Sequence, residues 1–424
     1  MTGAATGSAL GRRRFLSALG ASALAWPRVV EGLALRLQEG GGPGDEAFWA
    51  VVRGHFLIPE DRIYLNNGTL GATPRIVVDA VDEHTRRTAM TYPPGVAWED
   101  LKGALAALLD GDADGFVLPR NTTEAMSFVA NGLDIGPGDE VLTTDHEHIG
   151  GLCPWQLVTT RRGAALKTVS LPAPARSSRE LLDVVWAGVT GRTRVISVSH
   201  VTFTNGTTLP VTELARRAAG AGIVLVVDGA HPPGMMRVSL RDVGGDFYAS
   251  SPHKWLLAPQ GTGLLYVAAP WRERLWPTLA SGGWDDLSLG AQRLNHLGTL
   301  DESRLAGLLA AVGFHEAVGV DRIEGRVRYL HGYLRGLLEG IPRLDVVTPA
   351  GVELSSGMLS FRIEGVDSLD LQRHLGRVAN VRTRVVSEYD YGWMRLSTHI
   401  YNHPGELDRV AELLDDVARV GLPG

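Results

Sequence analysis

The sequence predicts an α/β protein: a large, doubly wound, mostly parallel sheet domain with a small carboxy-terminal α+β domain. Three observations predict it. The run IVLVVD, residues 223–228, is unbroken apolar and stops on Asp228, as a strand buried on both faces does when it delivers one charged side chain at its carboxyl end. Strand signals in RVISVSHV (194–201), a helical pattern over 211–222 and then this run give the order strand, helix, strand, which calls for parallel pairing. Residues 305–424 alternate helical patterns with short strands instead, as in LLAAVGFHEAVG, MLSFRIEG and ELDRVAELLDDVARV, and read as the smaller domain.

Composition bounds the function before any motif does. A chain of 424 residues with 44% hydrophobic and 21% charged content is an ordinary globular protein, long enough for one large core and a smaller one. A net charge of −6 argues against nucleic acid as a partner. The single cysteine, Cys153, excludes an internal disulfide and any cysteine-rich metal site, and reads as a buried thiol.

In chain order, GRRRFLSALGASALA places Arg12, Arg13 and Arg14 ahead of a short apolar stretch and small residues ending at Ala23 and Ala25. Residues 1–25 therefore read as a twin-arginine export signal, with a disordered basic tail as the alternative. The signal makes the export machinery a partner and predicts a periplasmic or extracytoplasmic location. Residues 26–60 hold a glycine-rich spacer, Gly40 to Gly44, and the amphipathic helix AFWAVVRGHFLI, assigned to the small domain. The large domain then runs over 61–304. It opens with IYLNNGTLGATPR (63–75), a short strand and a turn. DGFVLPRNTTEAMSFVANG, from Asp114, is a strand, a turn and a helix whose first turn carries Thr122, Thr123 and Glu124, and such a helix start is an anion site by its free N–H groups. GDEVLTTDHEHIGGLCPWQ (138–156) ends a strand on His146 and His148; no second ligand cluster accompanies them, so no metal is expected.

Asp246 leads a second apolar run, FYA, into Ser250, Ser251, Pro252, His253 and Lys254. The chain has only three lysines, Lys102, Lys167 and Lys254, and leaves its surface charge to arginine. A lysine after a buried-type strand in such a chain has a chemical reason: a desolvated amine loses its proton and forms a Schiff base, while a guanidinium stays charged. GTGLLYV follows as another strand, and SGGWDDLSL and LNHLGTLDE form a loop-rich region.

VDGAH followed by SSPHKW resembles the class V aminotransferase family, the pyridoxal-phosphate enzymes of fold type I that include cysteine desulfurases, kynureninases and isopenicillin N epimerases. The resemblance spans nearly all of residues 60–410. It implies pyridoxal 5′-phosphate as cofactor, Lys254 as the lysine that binds it covalently and takes the substrate α-proton, and Asp228 as the partner of the pyridine nitrogen. It further implies that Ser251, His253, Thr123 and, mainly by backbone, Thr122 hold the phosphate. His148 is the residue that stacks on the ring, with Ala230 packing against it. Thr202 and His231 stand near the cofactor's ring oxygen, where desulfurases have an asparagine. In the family a Gly-Thr pair touches the phosphate of the neighbouring subunit. Thr299 matches it, which implies a homodimer with a shared active site; a plain interdomain turn reads equally well here. Arg395, in MRLSTHIYN, fills the place of the arginine that clamps the substrate α-carboxylate. Asn67 sits in LNNGTLG, which is closer to the isopenicillin N epimerase branch and implies a substrate-lining stretch.

VRTRVVSEYDYGW (381–393) has no cysteine where desulfurases hold their nucleophile, which argues against sulfur transfer by that mechanism. The expected substrate is an amino acid or small peptide. Epimerisation is favoured by the LNNGTLG stretch, with transamination and elimination as the alternatives, and a cofactor-fold binding protein as the non-catalytic one.

Overall fold

Residues along the central strands alternate between two separate cores, and that alternation builds the molecule. The computed structural model describes residues 40–91, 96, 98–295 and 298–422, so the expected signal over 1–25 lies outside the described residues. Its strands are β1 (Ile63–Tyr64), β2 (Phe116–Val117), β3 (Glu140–Thr144), β4 (Ala165–Val169), β5 (Thr193–Ser199), β6 (Val224–Asp228), β7 (Phe247–Ser250), β8 (Leu264–Val267), β9 (Leu344–Val346), β10 (Met358–Ile363), β11 (Val381–Arg382), β12 (Arg384–Val386) and β13 (Trp393–Ser397). Ile196 and Val198 of β5 join Leu225 and Val227 of β6 in one core, while Val195 and Val226 turn to the other. A strand with both faces apolar needs cover on both sides. Helices Ser178–Ala187 and Val211–Gly220 give it on the first face through Leu181, Val185, Leu214 and Ala218. Helices Thr122–Gly132 and Ile149–Arg162 give it on the second through Met126, Val129, Trp155 and Val158.

Among the described residues the large sheet has seven strands in the order β2-β8-β7-β6-β5-β3-β4. β7, β6, β5, β3 and β4 pair in parallel, and β8 runs antiparallel to β7 and β2. This is the doubly wound, mostly parallel sheet predicted from the sequence. Its parallel strands end on one edge, where β5 releases Ser199, β6 Asp228 and β7 Ser250. Open parallel sheets bind ligands at that carboxyl edge.

The later part of the chain forms a four-stranded antiparallel sheet, β12-β13-β10-β9, over a core that includes Leu334, Phe361, Leu396 and Leu414. In its hairpin Arg384 stands opposite Arg395. β1 reaches across to pair in parallel with β11, and the amide of Ser397 donates to Leu65 O at 2.8 Å, so the LNNGTLG segment is fastened to this sheet.

Two sequence expectations shift. The helix expected over AFWAVVRGHFLI stops at Arg53, because the chain turns at Gly54, whose N–H caps Ala50 O, and Phe56 then bridges to Pro74. Cys153, expected to be buried, is exposed. Ile149 and Leu157, one turn to either side on the same helix face, are exposed too, at 54% and 53%.

Candidate active site

After β7 the chain is clamped before it presents Lys254. The amide of Lys254 donates to Ser251 O at 3.0 Å, and that of Gly71 to His253 O at 2.8 Å. A Cβ on Gly71 would lie 2.0 Å from Lys254 O, so only glycine lets the LNNGTLG backbone close in. His315 and His399 both approach Trp255 O with Nε2, at 3.1 and 2.9 Å. The lysine thus stands on a fixed main chain at the edge of a cavity of about 260 Å³.

Burial lowers the Lys254 amine to about 8; nearby Asp228 opposes the shift, and Arg395 and Arg384 reinforce it. Asp228 is itself raised by burial, against the pull of Lys254 and of the Ala230 amide, which donates to its Oδ1 at 2.9 Å. The Trp255 indole N–H donates to His231 Nδ1 at 3.0 Å, which fixes the neutral ring with its proton on Nε2. That Nε2–H lies 3.4 Å from Lys254 Nζ and can donate only to an unprotonated amine. His231 is held neutral by burial first and by Lys254 next, well below the ordinary histidine range.

The far end of the cavity is a helix start. Asn121 caps the helix Thr122–Gly132 by accepting from the Glu124 amide at 2.9 Å, and Thr123 lines the cavity. Ser251 Oγ accepts from the Thr122 amide at 3.1 Å and meets its hydroxyl at 2.7 Å. His253, lowered to about 4 by burial, also lines this end. His148 caps the next helix by accepting the Gly150 N–H on Nδ1 at 3.0 Å, and its ring meets Phe203 edge-on at 5.1 Å. Burial and the charges of Lys254, Arg384 and Arg395 push it to about 3, so it stays neutral.

Arg395 comes from β13. Its Nη1 donates to Phe203 O at 2.6 Å and its Nη2 to Thr69 Oγ1 at 3.0 Å. Burial, then Arg384, lowers it to about 9.

The cavity therefore gathers Thr122, Thr123, His148, Asp228, Ala230, His231, Ser251, His253, Lys254 and Arg395 from the positions singled out in the sequence. Three others go elsewhere. Thr202 turns its hydroxyl inward, donating to Asn205 Oδ1 at 2.7 Å and accepting from the Thr207 amide at 3.0 Å, and it stays out of the cavity lining where the ring-oxygen role expected of it would place it. Asn67 is buried and holds Lys254 O at 3.4 Å and the Tyr401 hydroxyl at 3.0 Å; its neighbours Gly68 and Thr69 line the cavity instead. Thr299 is exposed and outside this cavity's lining.

Sequence reasoning missed Phe203, Gly150, Gly151 and Arg384, all of which line the cavity. Arg384 stands opposite Arg395 in a hairpin register that the SEYDYG turn sets.

The residues fit pyridoxal phosphate. A helix start with Thr123, Ser251 and His253 beside it suits a phosphate, and Asp228 suits a protonated ring nitrogen. Close approach is built in as well. A Cβ on Gly150 would lie 2.3 Å from Thr123 Oγ1, and one on Gly151 2.9 Å from Asp228 Oδ2, so side chains there would crowd both groups. Among the described residues no group of three or more histidine, cysteine or acidic side chains is arranged to hold a metal.

Comparison with known proteins gives the same picture. The chain is 32% identical over 391 residues to the isopenicillin N epimerase of Streptomyces clavuligerus, covering 87% of this chain and 98% of that one. It is 29% identical to a probable cysteine desulfurase of Halobacterium salinarum, over 86% of this chain and 93% of that one. Among solved structures, the cysteine desulfurase CsdA of Escherichia coli superposes with a TM-score of 0.77 at 22% identity, covering 88% and 98% of the two chains. A C-DES mutant with glycine covalently linked to its PLP cofactor also scores 0.77, at 21% identity, covering 86% and 99%. Cysteine desulfurases standing this close, in sequence and in fold, overturn the expectation that the chain is set apart from them by the missing cysteine in 381–393. The aminotransferase class-V model matches residues 84–410, and the chain belongs to the class V aminotransferase family.

Proposed function

We propose that this chain is a pyridoxal-phosphate enzyme that works at the α-carbon of an amino acid or small peptide, and that its reaction is epimerisation. The observation that carries the reading is Lys254, an amine lowered to about 8 beside Asp228 in a cavity whose other wall offers Arg395. The epimerase relative aligned over 98% of its length supports the choice of reaction. When bound, pyridoxal phosphate supplies a reactive aldehyde and a protonated ring that stabilises negative charge at the α-carbon.

The chain's own residues do the rest. Thr123, Ser251 and His253 would hold the phosphate, with the Thr122 amide, expected to join them, given instead to Ser251 Oγ, and Asp228 would keep the ring nitrogen charged. His148, fixed by the Gly150 amide, would close one face of the ring. Arg395 would bind the α-carboxylate, its fork already oriented by Phe203 O and Thr69. Lys254 would take the α-proton at Nζ, which its lowered affinity for protons makes efficient near neutral pH, and inversion would require a proton to be returned on the opposite face of the α-carbon. Thr299, exposed in one chain, would reach the phosphate of a second in a homodimer.

Incubation with amino acids in deuterated water tests the reaction. The expected result is deuterium at the α-carbon with loss of optical rotation and no keto acid. Keto-acid release would replace epimerisation with transamination where the amino nitrogen stays with the cofactor, and with elimination where ammonia is released alongside.

The desulfurase relatives favour a second reading, cleavage of the carbon–sulfur bond of cysteine. Its signature is alanine with persulfide from cysteine. Cys153 is the chain's single thiol, so comparing Cys153→Ser with the natural protein tells whether a protein thiol carries the sulfur. Export by the twin-arginine route is supported by Arg12 and Arg13 ahead of the short apolar stretch. Replacing both with lysine is expected to retain the protein in the cytoplasm, as cell fractionation would record.

A further inference from the structure

Arg384 and Arg395 are directly opposed partners in the β12–β13 hairpin, so their side chains leave the same face of the sheet. Directly opposed residues have their Cβ atoms roughly 4.5–5.5 Å apart, where like charges destabilise the pair. Both line the cavity, and the Nε–H of each is buried without a partner among the described residues. Such donors are costly to leave unmet. The partners of Arg395, Phe203 O and the Thr69 hydroxyl, are both neutral. Arg384 pairs with Glu388 along its own loop, and lies 5.7 Å over the Phe203 ring. Even that ion pair is incomplete, since Glu388 Oε2 is buried without a partner among the described residues. One carboxylate bound at Arg395 would answer one guanidinium and leave the Nε–H of Arg384 unmet.

We infer that Arg384 is a second anion site in this cavity, and that the substrate is an amino acid or peptide bearing a second carboxylate besides its α-carboxylate. The inference rests on the reading that Arg395 binds the α-carboxylate. The phosphate end, at Thr123, Ser251 and His253, has its own donors and does not need Arg384. Phe203 packs beneath the Arg384 guanidinium and offers apolar surface to the chain between the two acids. Glu388 then acts as an internal stand-in that the second acid competes with or displaces.

The test is spectroscopic and calorimetric titration of the cofactor-loaded protein with three matched pairs: aspartate and asparagine, glutamate and glutamine, 2-aminoadipate and norleucine. The second acid is expected to tighten binding about tenfold or more in at least one pair, the scale of a hydrogen bond to a charged group. Arg384→Met should bring that ratio close to one. Glu388→Gln, which removes the competing charge and keeps the shape, should raise it. No acid preference in any pair overturns the inference. So does a ratio that survives Arg384→Met while both members weaken together, since both arginines would then grip a single carboxylate. The same samples report the cofactor independently, by a visible absorption band and by borohydride-fixed mass on Lys254. A loaded protein that fails to discriminate sinks the second anion site alone, whereas a protein that takes no cofactor sinks the proposed function with it.

Discussion

On the wall of the cavity built by the large sheet, Asp228 stands with Lys254, and opposite charges moderate each other: each opposes the shift that burial imposes on the other. On the facing wall, built by the four-stranded sheet, Arg384 stands across from Arg395 and adds to the lowering that burial imposes on it. The first wall is close to electrically complete without a substrate. The second is not, and its unmet donors are an instruction to a ligand. Chemistry that every member of such a family shares belongs on the first wall, where the strand ends fix Asp228 and the clamped 253–255 backbone fixes Lys254. Choice of substrate belongs on the second.

The largest effect that tests this division is on the first wall. Lys254→Ala is expected to abolish borohydride-fixed mass at position 254 and to slow α-proton exchange by roughly 10²–10⁴-fold, the usual contribution of a positioned acid–base group. Mass spectrometry and deuterium incorporation read the two losses separately. Arg395→Met comes next. Truncating one partner of a buried charged contact costs about 2–5 kcal/mol, so kcat/KM should fall by roughly 30- to several-thousand-fold. Measured at a pH well above 8, where the Lys254 amine is free in both proteins, cofactor capture by this variant stays near that of the natural protein while substrate saturation moves to much higher concentration.

The first wall was legible in the sequence, and the second only in part. IVLVVD and FYA announce buried strands, and buried parallel strands have one place to present a polar group, so Asp228 and Lys254 could be located by pattern. Thr123 followed from a helix start after a strand, and His148 from resemblance to a motif. Arg395 came from resemblance to a motif, and its cross-strand partner Arg384 went unread. A hairpin register depends on turn geometry, and SEYDYG carries two consecutive residues with positive φ, Tyr389 and Asp390, that composition does not betray. Asn67 and Thr202 were misread for a common reason. Each lies beside cavity-lining residues, but whether an amide or hydroxyl turns toward a cavity or back to its own backbone is decided by local hydrogen bonds such as Thr202 to Asn205. Thr204 and His146 make the same point: they hydrogen-bond each other away from the cavity, with His146 stacked on Tyr391 at 5.0 Å.

A pH titration couples the two walls. Lys254 has its folded-state affinity for protons lowered from 10.5 to about 8, so the amine is charged below pH 8 and free above it. The rate of cofactor capture should therefore rise about tenfold per pH unit up to about 8 and level off beyond. His148 and His231 are neutral throughout this range, at about 3 and well below 6.5, and add no further limb. Arg384 and Arg395 both lower Lys254, so removing either cation moves the limb to higher pH. A limb that stays fixed in Arg384→Met would mean that the walls do not sense each other electrostatically.

The smallest effect is expected at Gly71, where the two walls are mechanically joined. This residue sits in the segment fastened to the four-stranded sheet through Leu65 and Ser397, yet its amide holds His253 O and its Cα faces Lys254 O. In Gly71→Ala the new methyl would stand 2.0 Å from that carbonyl, which is main chain and cannot rotate aside. The segment must retreat, at about 1–3 kcal/mol for an overpacked site, which for a chain of this size lowers Tm by a few degrees. Because the retreat draws Thr69 from Arg395 as well as Gly71 from His253, substrate saturation should weaken together with cofactor capture, unlike in Arg395→Met. Calorimetry and the two binding titrations on one variant read this joint loss. A loss confined to one of the two would show that the walls move independently, and that the LNNGTLG segment belongs to one of them alone.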